Sequence, residues 1–303
     1  MASSRFVRIG PRSRAFRPSG FTLVELLVVI GIIALLVGIL LPSLAKARRA
    51  AEETKCMNNI RQLCLGMIMY ADANKGYIPG DGGDGTSASP ATMLSTPGGA
   101  PQYLTWDSES LWWNAIPPLL NMQPYYELQL AGGHRLPGPG DKSIFVCPSA
   151  DQGVATAADQ AAGISTQSGM FMLHGAPAGG GGHGNVVLPT YMCYVINSKL
   201  NATQAAQKIS QLRPGSSVAA FVEKRMTDHE LPPGDQYLGK SLGQIKVEEK
   251  RFTARHRRGG YIGFFDGHIA WFGNKELNTP FTYTPLDYND PSKVIWDPFG
   301  PES

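Results

Sequence analysis

The chain has no G-x-S-x-G elbow, no P-loop and no H-E-x-x-H stretch, and none of its four cysteines stands in a C-x-x-C pair. Those absences remove the sequence signatures of an α/β-hydrolase, a P-loop nucleotide hydrolase, a zinc peptidase and a zinc ribbon. Charged residues are scarce as well, at 17%. No lysine- and arginine-rich stripe interleaved with aromatics occurs, so nucleic acid is not an expected partner. Acidic residues are missing altogether from the first twenty positions, which carry Arg5, Arg8, Arg12, Arg14 and Arg17. The formal net charge of +3 is due to these five; without them, 22 basic residues face 24 acidic ones. This basic leader also lacks a short apolar core followed by a small-residue cleavage site, so it does not read as an ordinary secretory signal.

The most apolar part of the chain comes directly after the leader. Residues 21–41 form an almost unbroken apolar run interrupted by one carboxylate, Glu25. As a helix, 21 residues span about 31 Å, which matches the hydrocarbon core of a bilayer. The arginines on its N-terminal flank predict a cytoplasmic N-terminus and an extracytoplasmic head, in the inner (cytoplasmic) membrane. Lys46, Arg48 and Arg49 soften that asymmetry, and Glu52 and Glu53 partly offset them. A carboxylate inside a membrane span is costly in lipid, so Glu25 points to a task and a partner.

Gly20-Phe21-Thr22-Leu23-Val24-Glu25-Leu26-Leu27-Val28-Val29-Ile30 resembles the N-terminal signature of type IV prepilins and type II secretion pseudopilins. The likeness extends through Pro42 and the Asn58-Asn59-Ile60-Arg61-Gln62-Leu63 segment. It implies cleavage between Gly20 and Phe21 by a prepilin peptidase, N-methylation of Phe21, and attraction of a neighbouring subunit's methylated amine by Glu25. The plainer alternative for Glu25 is a carboxylate near the interface, reaching to water from a simple anchor. A second resemblance lies at His256, nine residues, then Asp266-Gly267, which is similar to the prepilin-type processing-associated H-X9-DG domain of large pseudopilin-like proteins. The implied partners are the peptidase, other pseudopilins, a secretion or pilus assembly platform, and inner-membrane lipid. The implied role is structural rather than enzymatic, with no cofactor.

The residues divide the chain into a leader at 1–20, a membrane-spanning part at 21–41, an amphipathic continuation at 42–75 and a head at 76–303. Pro42 should loosen the helix locally. Ile60, Leu63, Cys64, Met67, Ile68 and Ala71 recur at spacings of three and four, one apolar stripe meant for the head's own sheet. Gly76 and Pro79 stop the helix. Residues 80–101 read as a Gly- and Pro-rich loop, and 103–130 as an aromatic insertion with short helices. Strands are expected at 143–148, 191–196 and 217–223. The strongest β signal is Tyr261 to Phe265, Asp266-Gly267, then His268 to Phe272, which predicts a hairpin closed by a two-residue turn, part of a segment at 256–272. The fold class expected is α+β: a long N-terminal transmembrane helix packed on an antiparallel β-sheet head with loop-rich insertions, a pilin-like arrangement.

Candidate sites in the head are few. Cys56 and Cys64 are eight apart on one helix, too far to bond each other. Cys147 and Cys193, in the head, are candidates for a disulfide, with two buried free thiols as the alternative. His256, Asp266 and His268 are candidate ligands for a divalent metal; the alternative is a structural turn in which Asp266-Gly267 supplies the positive φ values. Asp72-Ala73-Asn74-Lys75-Gly76 opens like a calcium loop, but an EF-hand needs Gly and Glu where Tyr77 and Gly83 stand. Calcium held another way, with Asp81 and Asp84, is left open. His174 and His183 flank a Gly-rich stretch and read as loop, and the aromatics at 106–126 read as core rather than as a ligand platform. Three functions remain: a fibre subunit, a membrane-anchored extracytoplasmic binding module using the same processing signal, and a tethered hydrolase using His256 and Asp266.

Overall fold

A computed structural model describes residues 22–80, 93–94, 102–103, 109–130, 137–138, 140–150, 170–173, 188–201, 208–212, 214–227, 230–231, 246–247, 249–277, 289–290 and 294–298. Gly20, Phe21, Asp81, Asp84, Trp106, His174 and His183 lie outside these. The chain forms two compact units, Met1–Arg48 and Arg49–Ser303.

The first unit holds the start of α1 (Leu23–Ala73), a 51-residue helix that continues through Pro42. Beside that proline the Ser43 hydroxyl donates to the Leu40 carbonyl at 2.8 Å. Residues 22–48 are exposed throughout, on every side of the helix. A helix that is apolar all round and uncovered suits lipid or other helices, not water. α1 is long and apolar enough to cross a membrane, which is compatible with membrane anchoring.

In the second unit α1 changes character. Its buried positions are Cys56, Asn59, Ile60, Leu63, Cys64, Gly66, Met67 and Ala71; the expected stripe is there and extends one turn earlier, but Ile68 at its edge is only half-buried. The helix stops where the sequence places the stop. Lys75 and Gly76 take left-handed φ values of 56° and 86°, and the Gly76 N–H donates back to the Ala71 carbonyl at 2.7 Å, a Schellman closure.

Beyond it come β1 (Met93–Leu94), β2 (Gln102–Tyr103), α2 (Trp112–Leu119), α3 (Tyr125–Leu130), β3 (Met170–Leu173), β4 (Leu188–Tyr191), β5 (Tyr194–Asn197) and β6 (Ala219–Glu223). They are followed by β7 (Lys246–Val247), β8 (Gly259–Phe264), β9 (Ile269–Gly273), α4 (Asn274–Leu277), β10 (Asn289–Asp290) and β11 (Val294–Ile295). The main sheet runs β7-β5-β6-β8-β9. Four of these strands pair antiparallel as expected; β7 joins β5 in parallel at one edge. The architecture is α+β and pilin-like.

The stripe of α1 lies directly on this sheet. At Gly263 of β8 a side chain would collide with Ile60 and Cys64, and at Gly66 of α1 it would collide with Ile116 of α2. Glycine is therefore required at these two positions for closeness of approach. Trp112 anchors the core, with ring centroids 5.2 Å from Phe221 and 5.9 Å from Phe145, and Tyr125 meets Phe145 edge-on at 5.0 Å. Trp112, Trp113 and Tyr125 are buried, so these three aromatics of the insertion are core.

Two local expectations are corrected. Residues 143–148 form turns rather than a strand, because their carbonyls are used elsewhere. Ser143 and Val146 accept from the Asn59 side chain of α1, at 3.3 and 3.2 Å, and Phe145 accepts from the Cys193 N–H at 2.8 Å. The β8–β9 turn also has three residues rather than two. The Phe264 N–H meets the His268 carbonyl and the Gly267 N–H meets the Phe264 carbonyl, both at 3.0 Å. Only Gly267 has positive φ, 87°, which is the pattern of a turn followed by a left-handed bulge residue.

Candidate functional site

At the start of α1, Thr22 and Glu25 satisfy one another. The Glu25 carboxylate accepts from the Thr22 N–H at 2.9 Å and from its hydroxyl at 2.8 Å, while the Glu25 N–H donates to Thr22 Oγ1 at 3.3 Å. This is a capping box, which satisfies two otherwise orphaned donors at a helix N-terminus. The carboxylate is exposed and sits at the positive end of the helix dipole. The signal for this cap stands in the sequence as Thr-x-x-Glu, and reading Glu25 for assembly alone misses it. Gly20 and Phe21 lie outside the described residues.

A second constellation is buried in the head, and sequence reasoning marked only Cys147 and His256 among its members. Cys147 is bonded to Cys56, with 5.4 Å between their Cα atoms. The candidate Cys147–Cys193 bond is not formed; Cys193 is a buried free thiol, as is Cys64. The reason is the Asn59 anchor: by holding the carbonyls of Ser143 and Val146, it sets Cys147 against the helix turn that carries Cys56. Burial pushes the Cys193 thiol up to about 11 and raises that of Cys64 as well, so these two are inert packing residues.

His256 adjoins the bridge. Its Nε2 lies 3.5 Å from Cys147 Sγ and 3.1 Å from Glu223 Oε1. Exposure is 2% for His256 and 0% for Glu223. The other Glu223 oxygen accepts from the Tyr261 N–H at 2.9 Å. His256 is fixed by a tight reversal, in which its N–H and carbonyl exchange bonds with Gly259, both at 2.9 Å, and its carbonyl also accepts from Trp271 Nε1 at 2.8 Å. The two residues inside the reversal, Arg257 and Arg258, take φ values of 53° and 65°. Positive φ at two arginines is uncommon, and composition did not flag this turn. Beside the cluster, Arg255 pairs with Glu230 at 2.8 Å and stands 3.9 Å from Glu223. Burial opposes its charge, but Glu230 above all outweighs that and raises the guanidinium above its ordinary value.

Asp266 and His268 take no part. The six residues of β8 separate His256 from the turn by about 20 Å at the usual rise per strand residue. The candidate trio of His256, Asp266 and His268 is therefore not brought together. Asp266 instead accepts from the His268 N–H at 3.0 Å and from its ring Nδ1 at 2.6 Å. That ring stacks on Phe264, with centroids 4.2 Å apart. Burial would raise the Asp266 carboxyl, but the His268 contacts win and hold it below its ordinary value. These contacts are local and exposed, as a structural turn requires. Among the described residues, the group of metal-capable side chains that converges is Cys56, Cys147, Glu223 and His256, whose ligand atoms all lie within 4.8 Å of one another.

Residues 16–41 match the family described as prokaryotic N-terminal methylation motif. Residues 45–193 match one described as protein of unknown function DUF1559. The type IV wide pilus major component PilA4 of Thermus thermophilus is 41% identical over 58 residues, which cover 19% of this chain and 44% of that protein. The chain thus spans less than half the length of the curated relative it matches. No solved structure matches. The likeness is therefore to a methylation motif at the N-terminus and, over 58 residues, to a type IV pilus component.

Proposed function

We propose that the chain, whose residues 16–41 match an N-terminal methylation motif, is a prepilin-like structural subunit of a type IV pilus-like fibre or type II secretion pseudopilus. It enters the inner membrane as a single-pass protein, N-terminus in the cytoplasm and head outside. Prepilin peptidase cuts after Gly20 and Phe21 is methylated. Subunits then leave the bilayer and pack their apolar helix starts together, with heads outward.

The observation that supports this is the division of α1. Its first half is apolar and exposed on every side, while burial begins only at Cys56. An all-round apolar surface of that length calls for a second environment, first lipid and then other copies of the same helix. Glu25 supplies register, since a carboxylate and an amine a few ångströms apart attract strongly where water is scarce. Its exposure and its place at the helix start leave one face open for that contact.

The test is the intact mass and first residue of the protein isolated from its native membrane. A chain beginning at methylated Phe21 is expected. A chain that keeps its leader beside an active prepilin peptidase overturns the reading. A processed chain that never cross-links to its own kind would replace the fibre with a membrane-anchored binding module.

A further inference from the structure

Four donor atoms converge in the core of the head from four separate segments: Cys56 on α1, Cys147 in the turn region after α3, Glu223 at the end of β6, and His256 before β8. A disulfide alone does not call for a buried histidine and carboxylate at its side. The Glu223 carboxylate, at 0% exposure, is held by the Tyr261 N–H and lies 3.9 Å from the Arg255 guanidinium, which keeps it available as an anionic ligand. The geometry of the histidine is also telling. One ring nitrogen, Nε2, faces both a sulfur at 3.5 Å and a carboxylate oxygen at 3.1 Å. A single N–H can be given to only one of them. A cation between them would take all three atoms as ligands.

Two of the spacings approach those such a cation would set, and reduction of the disulfide would free the two sulfurs to part. Zinc bonds of about 2.3 Å to sulfur and about 2.0–2.2 Å to nitrogen and oxygen, at tetrahedral angles, put ligand atoms about 3.4–3.8 Å apart. The Cys147–His256 and His256–Glu223 distances lie at or within about 0.3 Å of those edges. Two sulfurs, one imidazole and one carboxylate make a donor set suited to zinc. Glu223 also has the supporting bond that ligating carboxylates need, from the Tyr261 N–H.

We propose that Cys56, Cys147, Glu223 and His256 form a closed structural site for a zinc-type divalent cation when the Cys56–Cys147 pair is reduced. Disulfide and metal are then alternative ties between α1 and the sheet. The exchange balances. A thiol reductant passes two electrons to the disulfide and is itself oxidised to a disulfide, and two protons complete two free thiols. The cation then binds both as thiolates, releasing two protons. With four protein ligands the site has no open position, so it supplies stability and no hydrolytic chemistry. The site stands independently of the fibre reading.

The experiment uses the full chain in detergent micelles, reduced with a phosphine, incubated with zinc and desalted; metal content is then measured beside an oxidised sample. Zinc retained near one per reduced chain is expected, with none on the oxidised chain. Maleimide labelling of Cys56 and Cys147, mapped by peptide mass, should slow by more than ~10-fold with zinc bound, and His256→Ala should weaken retention by at least ~10-fold. Cys193→Ser should change neither. Where His256→Ala fails to fold, cobalt on the reduced wild type decides: tetrahedral bands with thiolate charge transfer support the site. A folded, reduced wild type that holds neither metal, or retention indifferent to His256→Ala, overturns it.

Discussion

Replacing Cys147 with serine cuts the covalent tie between α1 and the loop that Asn59 holds against it. The bridge closes a loop with a sequence separation of 91. Chain-entropy arithmetic for a loop of that size gives about 4.6 kcal/mol at 25 °C. That is a large share of the ~5–15 kcal/mol by which domains are usually stable. The assay is urea unfolding of the oxidised full chain in micelles, with chelator present, followed by the fluorescence of buried Trp112 and Trp113. At a slope of ~2 kcal/mol per molar, the midpoint should fall by about 2 M. Cys56→Ser should cost the same, and the double variant no more than either single one, because one bond is lost in all three cases. A midpoint shift below ~0.5 M, or a double variant that costs the sum of the singles, would refute the reasoning. Cys193→Ser removes a buried thiol that bridges nothing, and serves as the control.

Gly263→Val drives a branched side chain into Ile60 and Cys64, so the urea midpoint should drop by the equivalent of at least ~2 kcal/mol; an unchanged midpoint would mean that α1 does not press on β8. Glu25→Ala removes the capping box, at a cost of about 1 kcal/mol to the helix start. It should leave cleavage after Gly20 intact while reducing recovery of the protein in sheared fibres, and normal incorporation would refute the assembly role. Asp266→Asn bears on pH. The Asp266 carboxyl is held below its ordinary value, so its contribution is present at neutral pH and is lost as pH falls through its folded value. The gap in urea midpoint between wild type and Asp266→Asn should therefore close under acid, and a gap that widens would contradict the His268 contacts.

The turn at Gly267 and the stop at Gly76 were readable because a left-handed backbone leaves few residue choices. The α1 stripe was readable because a periodicity of three to four residues has one physical solution on a helix. The same holds for the apolar run from 21 to 41, whose length is read directly from the sequence. The Thr22–Glu25 cap was equally local. Where residues answer to distant partners, local pattern failed. The apolar run at 143–148 has strand composition, yet Asn59 and Cys193 claim its carbonyls. The cysteine pairing was hidden for the same reason: four cysteines allow three pairings, and the choice is made by the loop docking on a helix some 90 residues earlier in the chain. His256 and Asp266 were candidates for one site, and the strand laid out between them sets them apart, leaving Asp266 to the structural turn that was the alternative reading. The sequence by itself therefore determined the apolar run, the stripe, the helix stop and the β8–β9 hairpin, all governed by patterns within a few residues. Only the tertiary structure decided that Cys56, Cys147, Glu223 and His256 share one buried point, because their meeting depends on how α1, a loop and two strands pack together.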